Sequence, residues 1–260
     1  MSTSVRGAIA ATLLAGTALA ATPALAQDAA PADAPKEITI TGSVALTSDY
    51  RFRGVSQSGG DLAIQGGITV SHSSGFYVAM WSSSISENSL PGYGSQELDV
   101  FGGWTGEVTP GLTADVGLLY YIYPSGTNLF KTDFFEPYAS ISGQVGPAKL
   151  KLGANYAWKQ KSLVNAFDGS SEDNIYVYTN LDIAIPNTPV TLSGHVGYTD
   201  GVLAPCYYCN GDKTGWDWSI GASGTIYGPL SLSVSYVGVS NLSVDSFTDD
   251  TVVATLTAAF

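Results

Sequence analysis

Apolar and polar residues alternate along most of the chain beyond residue 37, in runs of about ten residues that Gly, Pro, Asn, Asp and Ser separate. A period of two residues places successive side chains on opposite faces of a β-strand, so the pattern predicts strands with one apolar and one polar face. The twelve predicted strands have the approximate bounds Ile38–Phe52, Leu62–Ser71, Phe76–Ser84, Gln96–Val108, Leu112–Tyr123, Phe134–Val145, Lys149–Lys159, Ile175–Ile183, Val190–Thr199, Trp216–Tyr227, Leu230–Val239 and Thr251–Phe260.

The connections between these strands alternate in length. Those after even-numbered strands are tight, as in Thr109-Pro110-Gly111 and Gly228-Pro229, whereas those after odd-numbered strands are mostly longer, as from Ile85 to Ser95 and from Gln160 to Asn174. Barrels of the bacterial outer membrane combine short periplasmic turns with longer extracellular loops and contain an even number of strands. The sequence therefore predicts an all-β fold, a single antiparallel up-and-down transmembrane β-barrel over residues 38–260.

Charged residues inside the predicted strands all fall on the polar parity. A Lys or Arg that faces the middle of a bilayer costs about 2–4 kcal/mol, so a membrane barrel must keep charge away from its lipid face. A soluble periplasmic barrel also keeps charge off its core face and stays an alternative. The thirteen residues are Asp49, Arg51, Arg53, Glu97, Asp99, Glu107, Asp115, Glu136, Lys149, Lys151, Lys159, Asp182 and Asp217.

Outward-facing aromatic residues collect toward the loop ends of the predicted strands. Amphipathic rings at these positions suit the headgroup level of a bilayer. The apolar face thus predicts contact with outer-membrane lipids and lipopolysaccharide. The predicted aromatic positions are Tyr120, Trp158, Tyr198, Trp216 and Trp218, and only the third strand, with both faces apolar, leaves the outward side undecided.

The N-terminal residues have the pattern of a cleaved secretory signal peptide. Arg6 precedes an apolar run from Ala8 to Ala20, and Ala24-Leu25-Ala26 provides small residues at a cleavage site. The run is shorter than the roughly 20 residues that a membrane-spanning helix needs. We predict a signal peptide over residues 1–26, a flexible leader rich in Pro, Ala and acidic residues over 27–37, and secretion to the cell outer membrane.

The final strand ends in the aromatic residue Phe260. An amphipathic last strand that closes on a terminal aromatic is typical of outer-membrane barrels. We predict that the barrel-assembly machinery recognises the last strand and its terminal residue Phe260.

Composition supports the all-β prediction and narrows the classes of partner. The chain has 30 Gly, 15 Tyr and only 12% charged residues, with a net charge of −12. Removal of the signal peptide takes away Arg6 and no acid, so the mature chain carries a net charge of −13. Such a balance argues against nucleic acid as a partner, since nucleic acids bind basic patches. An acidic lumen would instead favour cations over anions.

Two interpretations of the lumen remain open at the level of the sequence. Arg51 and Arg53 are the only arginines of the mature chain and face carboxylates, so they could form a constriction with a transverse field that selects small polar solutes. They could equally belong to a salt-bridged plug that leaves no continuous water path, because a twelve-stranded barrel lies between filled and open sizes. The predicted lumen-lining and selectivity residues are Asp49, Arg51, Arg53, Glu97, Asp99, Asp115, Glu136, Lys151, Asp182, His195 and Asp217.

Three stretches carry a resemblance to a known family. They run from Leu46 to Gln57, with its Asp-Tyr-Arg-Phe-Arg-Gly core, from Ser74 to Ser83 with Trp81, and across Cys206-x-x-Cys209. With Gly67-Ile68, these stretches are similar to a proteobacterial family of small outer-membrane proteins bearing Gly, Cys and Trp, the TorF-like porins. The resemblance spans essentially the whole mature chain. It implies an outer-membrane β-barrel and transfers neither a substrate nor a catalytic residue.

The two cysteines of the predicted loop between strands 9 and 10 suggest a disulfide. Cys206 and Cys209 would meet an oxidising compartment, where such pairs form, although a ring this small is strained. A redox or zinc role is the alternative, but a redox site needs a thiolate-stabilising helix and zinc needs a second ligand pair. No metal or cofactor is predicted.

An enzymatic role has one weak candidate, His195, with Ser193 on the same face of its strand. Same-face neighbours are about 7 Å apart, which exceeds the reach of a nucleophile and its base. We therefore predict no chemistry and an outer-membrane porin or channel for small polar solutes. A closed structural or interaction barrel with envelope-binding loops is the alternative, and an outer-membrane hydrolase is a more distant one.

Overall fold

The computed structural model describes residues 37–165, 167–205 and 207–260. The predicted signal peptide, the leader apart from Glu37, and the proposed partner Cys206 of the disulfide lie outside the described residues. These predictions therefore stay predictions.

Twelve strands of the described chain form one closed antiparallel barrel, in which each strand pairs with its neighbour in sequence. This confirms the predicted fold class. No helix in the described residues is long and apolar enough to cross a membrane. The barrel strands are β1 (Ile38–Thr47), β4 (Ala63–His72), β5 (Phe76–Ser84), β6 (Gln96–Thr109), β7 (Leu112–Ile122), β8 (Phe134–Val145), β9 (Ala148–Ala157), β10 (Asn174–Ala184), β11 (Val190–Gly201), β12 (Thr214–Tyr227), β13 (Leu230–Val239) and β14 (Thr251–Ala259); a small hairpin of β2 (Arg51–Phe52) and β3 (Val55–Ser56) and the short helix α1 (Tyr207–Asn210) complete the elements.

The barrel closes where its first and last strands pair. Beyond the β1–β14 ladder, the backbone N–H of Gly42 donates to the carbonyl of Phe260 at 2.8 Å, and Phe260 N–H donates back to Gly42 at 2.9 Å. Closure satisfies the backbone groups that an open sheet would expose, which is the condition for crossing a bilayer with strands. The C-terminal residue thus belongs to the seam of the cylinder.

The predicted alternation of faces is present around the whole barrel. The outward parity carries exposed apolar side chains such as Ile64, Val78, Ile220 and Val252. In β5, where both faces are apolar, Phe76, Val78 and Met80 are exposed and Ala79 and Trp81 are buried inward. The charged residues within the strands, from Glu97 in β6 to Asp217 in β12, keep the opposite parity, except Asp200 at the loop end of β11.

Aromatic rings pack against one another on the outer surface at the loop end. The stacked and tilted pairs are Tyr120–Phe135 at 4.1 Å, Phe135–Trp158 at 6.1 Å, Tyr198–Trp216 at 4.9 Å and Trp218–Tyr236 at 5.3 Å between ring centroids. The five predicted positions are all included, and Phe135 and Tyr236 join them. This band is the arrangement expected for an interfacial girdle.

Connection lengths also follow the prediction, with tight turns at one end of the barrel and long loops at the other. We call these the turn end and the loop end. The predicted first strand, however, was wrong beyond Thr47. Ser48 makes the last backbone contact with β14, through its N–H to the Ala254 carbonyl at 2.9 Å, and the chain then turns into the lumen. The seventh predicted strand was also too long, because β9 ends at Ala157 and leaves Lys159 in a loop.

Candidate functional site

The segment from Ser48 to Asp61, which we call the plug, folds from the first loop into the loop-end half of the lumen. Its core is the β2–β3 hairpin, whose turn residues Arg53 and Gly54 have φ angles of 49° and 80°. A two-residue turn with both φ angles positive is the type I′ turn that matches the twist of a hairpin, and glycine at the second position suits it. A Cβ on Gly54 would also collide with Val239.

The plug fills the loop-end half of the lumen, which we call the outer half. Among its buried side chains, Ser56 is 0% exposed and Arg53 is 3% exposed. The wall residues around it are buried too, including Thr199 on one side and Phe101 on the other. Side chains buried to this degree leave no wide water path between plug and wall.

Asp49 organises the plug from within. Its carboxylate accepts hydrogen bonds from Arg51 Nε at 2.5 Å, Ser56 Oγ at 2.6 Å and Ser58 Oγ at 3.0 Å. Arg51 also reaches the loop between β13 and β14, where it donates to the carbonyl of Asp249 at 2.8 Å and to its carboxylate at 3.1 Å. Asp49 and Arg51 therefore do not continue the first wall strand, as its predicted bounds required, but belong to the plug.

Arg53 crosses the lumen to the opposite wall. Its Nη2 donates to both carboxylate oxygens of Glu136 on β8, each at 2.7 Å. Glu136 is fully buried and also accepts from Tyr121 Oη at 3.1 Å and Asn155 Nδ2 at 3.0 Å. Arg53 is thus a plug residue as well. Its guanidinium forms an ion pair with Glu136, which the sequence analysis predicted to face the lumen.

A second wall contact is made by Tyr50 of the plug. Its hydroxyl donates to Glu97 Oε1 at 2.8 Å, and its ring meets Trp81 edge-on at 5.3 Å. Burial, aided by the nearby carboxylates of Glu97 and Asp99, holds the pKa of the Tyr50 hydroxyl well above its usual range. The hydroxyl therefore remains a donor at any physiological pH. Phe52 adds an edge-on contact with Tyr121 at 5.9 Å.

His195 belongs to a hydrogen-bonded group on the wall. Its Nε2 lies 2.8 Å from Asp217 Oδ1 and 2.9 Å from Tyr176 Oη, and its Nδ1 lies 2.5 Å from Asn180 Oδ1. Both ring nitrogens are engaged, and no serine hydroxyl is among their hydrogen-bond partners in the described residues. In the described residues, His195 is therefore not paired with a serine.

Asp99 differs from every other carboxylate of this region. It lies on β6 directly across from Trp81 and Tyr121 and is 0% exposed. Neither of its carboxylate oxygens has a hydrogen-bond partner among the described residues. Burying a carboxyl group without a hydrogen-bond partner is costly, so Asp99 is an unsatisfied polar group on the wall.

The turn-end half of the lumen, which we call the vestibule, has a different lining. Asp115 accepts from Tyr77 Oη at 2.7 Å, and Tyr77 contacts the hydroxyl of Tyr138. Lys151 and Asp182 also lie at this level, on β9 and β10. Glu107 and Lys149 lie at this level too, and most of the remaining lining is short, polar and partly or fully exposed; it includes Thr41, Ser71, Thr105, Thr113, Ser142, Thr191, Ser193, Ser223, Ser231, Ser233 and Thr257.

Sequence reasoning missed the residues that complete the site. Four residues form hydrogen bonds with the predicted charged side chains: Tyr50, Tyr176, Asn155 and Asp249. The first three are uncharged, and Asp249 lies outside the predicted strands. One available signal was Arg53-Gly54, a dipeptide compatible with a tight hairpin turn inside what otherwise reads as a strand. No group of three or more His, Cys, Asp or Glu side chains suited to a metal ion occurs in the described part of the chain.

The architecture defines a class: a closed twelve-stranded barrel with the fold of outer-membrane porins and channels. Three solved structures are similar. The NanC porin has a TM-score of 0.58 at 12% identity, covering 85% of this chain and 99% of that one. The KdgM porin has a TM-score of 0.54 at 9% identity, and the match covers 85% of this chain and 98% of that one. An outer membrane channel from Pseudomonas putida F1 has a TM-score of 0.54 at 10% identity, and the match covers 90% of this chain and 98% of that one. At these identities the similarity concerns the fold.

Residues 29–260 match the sequence model of a family described as a bacterial protein of unknown function, Gcw_chp, and the chain belongs to that family. The comparison with curated proteins found no match.

Proposed function

We propose that the protein is an outer-membrane channel for small polar solutes that conducts when the plug leaves the outer half. The observation that carries this proposal is the division of the lumen into a polar, solvent-accessible vestibule and a plug formed by one loop. The plug is attached to the wall by ion pairs, hydrogen bonds and aromatic contacts, such as Arg53–Glu136 and Tyr50–Glu97. Such contacts can break and reform, as loop motions on channels and enzymes do.

The lining supports a preference for cations. In the outer half, Asp49, Glu97, Asp99, Glu136, Asp217 and Asp249 face only two guanidinium groups, those of Arg51 and Arg53. A lumen with surplus carboxylates lowers the electrostatic barrier for positive solutes and raises it for negative ones.

The exterior supports placement in the outer membrane. Apolar side chains cover the outward parity of the strands, and the aromatic band lies at the loop end. We propose that lipids and lipopolysaccharide contact this surface, and that the barrel-assembly machinery recognises the β14 strand with Phe260. Fractionation of the envelope and heat-modifiable migration on a detergent gel test the placement. Recovery in the soluble periplasmic fraction would refute it.

Conductance in planar bilayers tests the channel. We expect the mature chain to give small or infrequent current steps. A variant in which Tyr50–Gln57 is replaced by a Gly-Ser linker of equal length should give stable steps proportional to salt concentration. The matched control replaces residues of another long loop, 125–132, which leaves the plug in place and should conduct like the wild type. A folded plugless barrel without current would contradict the proposal.

The two arginines give a finer test of selectivity. Arg51→Ala combined with Arg53→Ala removes both guanidinium groups and leaves the six carboxylates. We expect the reversal potential in a salt gradient to move further toward the value for cations. An unchanged reversal potential would reject the acidic lumen as the origin of selectivity.

A closed structural barrel is the second candidate function. The observation that favours it is the burial of the plug together with its wall partners, which resembles a protein core more than a mobile loop. Under this alternative, the plugless variant is silent in bilayers and loses thermal stability, and the long loops bind envelope partners.

A further inference from the structure

The guanidinium group of Arg53 is bound in the manner of a ligand. One of its nitrogens donates to both oxygens of Glu136 at 2.7 Å. Its central carbon lies 4.2 Å from the ring centroid of Tyr176 and 4.6 Å from that of Phe52. A carboxylate beside aromatic faces is the arrangement by which proteins recognise organic cations, because the ring quadrupoles and the carboxylate both attract the charge.

Most of this binding site belongs to the wall and does not depend on the plug. Glu136 is oriented by Tyr121 and Asn155, which donate to it at 3.1 and 3.0 Å. Tyr176 is held through its hydroxyl, which donates to Asp217 at 3.1 Å. Tyr121, Glu136, Asn155 and Tyr176 lie on β7, β8, β9 and β10, respectively, and Asp217 lies on β12. The wall site therefore keeps its shape when Arg53 is withdrawn, with only the Phe52 ring lost.

Asp99 supplies the independent sign that the wall takes a cation. It is fully buried, and neither of its oxygens has a partner in the described residues. Its cross-strand neighbour Tyr121 is the residue that donates to Glu136. The carboxylate of Asp99 thus lies beside that of Glu136 and receives no hydrogen bond from Arg53. Nη1 of Arg53 is itself buried without a partner. Arg53 fills the site incompletely, as expected of a tethered substitute.

We infer that the wall site formed by Glu136, Tyr121, Asn155 and Tyr176, with Asp99 beside it, binds solutes that carry a guanidinium group, and that Arg53 occupies it as an internal ligand. This inference rests on the proposed channel and names its substrate class. A solute guanidinium entering from the vestibule competes with Arg53 for Glu136. Displacement of Arg53 removes one of the two ion pairs described between the plug and the rest of the barrel.

Arg53→Ala empties the site, and guanidinium chloride is the probe. Urea is the matched control ligand, since it has nearly the same shape without the charge, and sodium chloride controls for ionic strength. We expect millimolar guanidinium to bind the folded, mature Arg53→Ala barrel, measured by titration calorimetry in detergent. Adding Glu136→Gln should weaken this binding roughly tenfold or more, the scale of a lost charge-assisted hydrogen bond. The wild type should bind more weakly than Arg53→Ala because Arg53 occupies the site.

Bilayer currents provide the functional readout of the same site. In Arg53→Ala, guanidinium should reduce the sodium current by occupying the wall site, and urea should not. Binding in calorimetry without current in any variant would support the wall site while refuting the channel. Current without a guanidinium-specific effect would support the channel and refute the wall site.

Equal responses to guanidinium and urea, or binding that Glu136→Gln leaves unchanged, would overturn the inference. If Arg53→Ala folds poorly, the folding yield becomes the measurement. Millimolar guanidinium, but not urea, should then restore the heat-modifiable folded band, and no restoration would likewise overturn the inference.

Discussion

The outer half and the vestibule are built on the same twelve strands, with the same alternation of faces, and yet one is filled and the other is accessible to solvent. In the outer half the inward residues are large or charged, such as Trp81, Glu97 and Tyr176, and they close on the plug. In the vestibule they are mostly Ser and Thr, as at Ser223 and Ser233, and leave space.

The comparison shows that barrel size alone does not decide whether a lumen is open. A cylinder of eight strands is filled by its own side chains, and one of sixteen is open. At twelve strands, short side chains leave a cavity, whereas large ones need an additional segment to complete their packing. The plug has this role, and Arg53 spans from it to Glu136. The same residues that close the outer half also supply its charge.

The largest expected effect comes from breaking the buried ion pair. Glu136→Gln removes the ion-pair partner of the buried Arg53 guanidinium and should lower the free energy of unfolding by about 3–5 kcal/mol. Its counterpart in the vestibule, Glu107→Gln, is exposed and keeps an acceptor for the Gly111 N–H, so its effect should stay within about 0.5 kcal/mol. Urea unfolding in lipid vesicles, followed by tryptophan fluorescence, measures both. Equal losses would mean that the two halves are not energetically distinct.

A smaller effect is expected from steric substitution on β11. A Cβ on Gly197 would collide with the hydroxyl of Tyr176 and lie 2.6 Å from Asp217, whereas one on Gly194 meets nothing within 4 Å. Gly197→Ala should therefore destabilise the barrel by about 1–3 kcal/mol, the range for overpacking. Gly194→Ala on the same strand is the control and should change stability by less than about 0.5 kcal/mol. If the two alanine variants unfold at the same urea concentration, the wall network around Tyr176 is not tightly packed.

The smallest effect on stability, and the sharpest on accessibility, is expected from single cysteines. In a background with Cys206→Ser and Cys209→Ser, a charged thiol reagent should label Ser223→Cys in the vestibule rapidly. Ser56→Cys in the plug should react much more slowly, because residue 56 is buried and reaction requires local opening. Mass spectrometry of timed samples gives both rates. Similar rates would show that solvent reaches the plug as freely as the vestibule.

The sequence by itself determined the barrel fold, the number of its strands, and the division of the sheet into an apolar and a polar face. A two-residue period fixes which side chains share a face, and the exclusion of charge from one face fixes which face points outward. These are local rules: they separated the two faces of β12, whereas in β5, where both faces are apolar, they left the outward side undecided. Glu97, Asp99, Glu136 and Asp217 are all buried in the structure. The strand prediction failed where the chain left the wall, after Thr47, and at the end of the seventh strand, which stops at Ala157.

Only the tertiary structure decided what fills the lumen. Arg53 and Glu136 are 83 residues apart, and Arg51 and Asp249 are 198 apart, so no periodic pattern brings them together. The strand-like stretch Asp49–Arg53 has the same alternation whether it continues β1 or folds inward. The choice depends on contacts from several distant strands at once, and a charge that pairs across a lumen leaves no trace in its own neighbourhood of the chain.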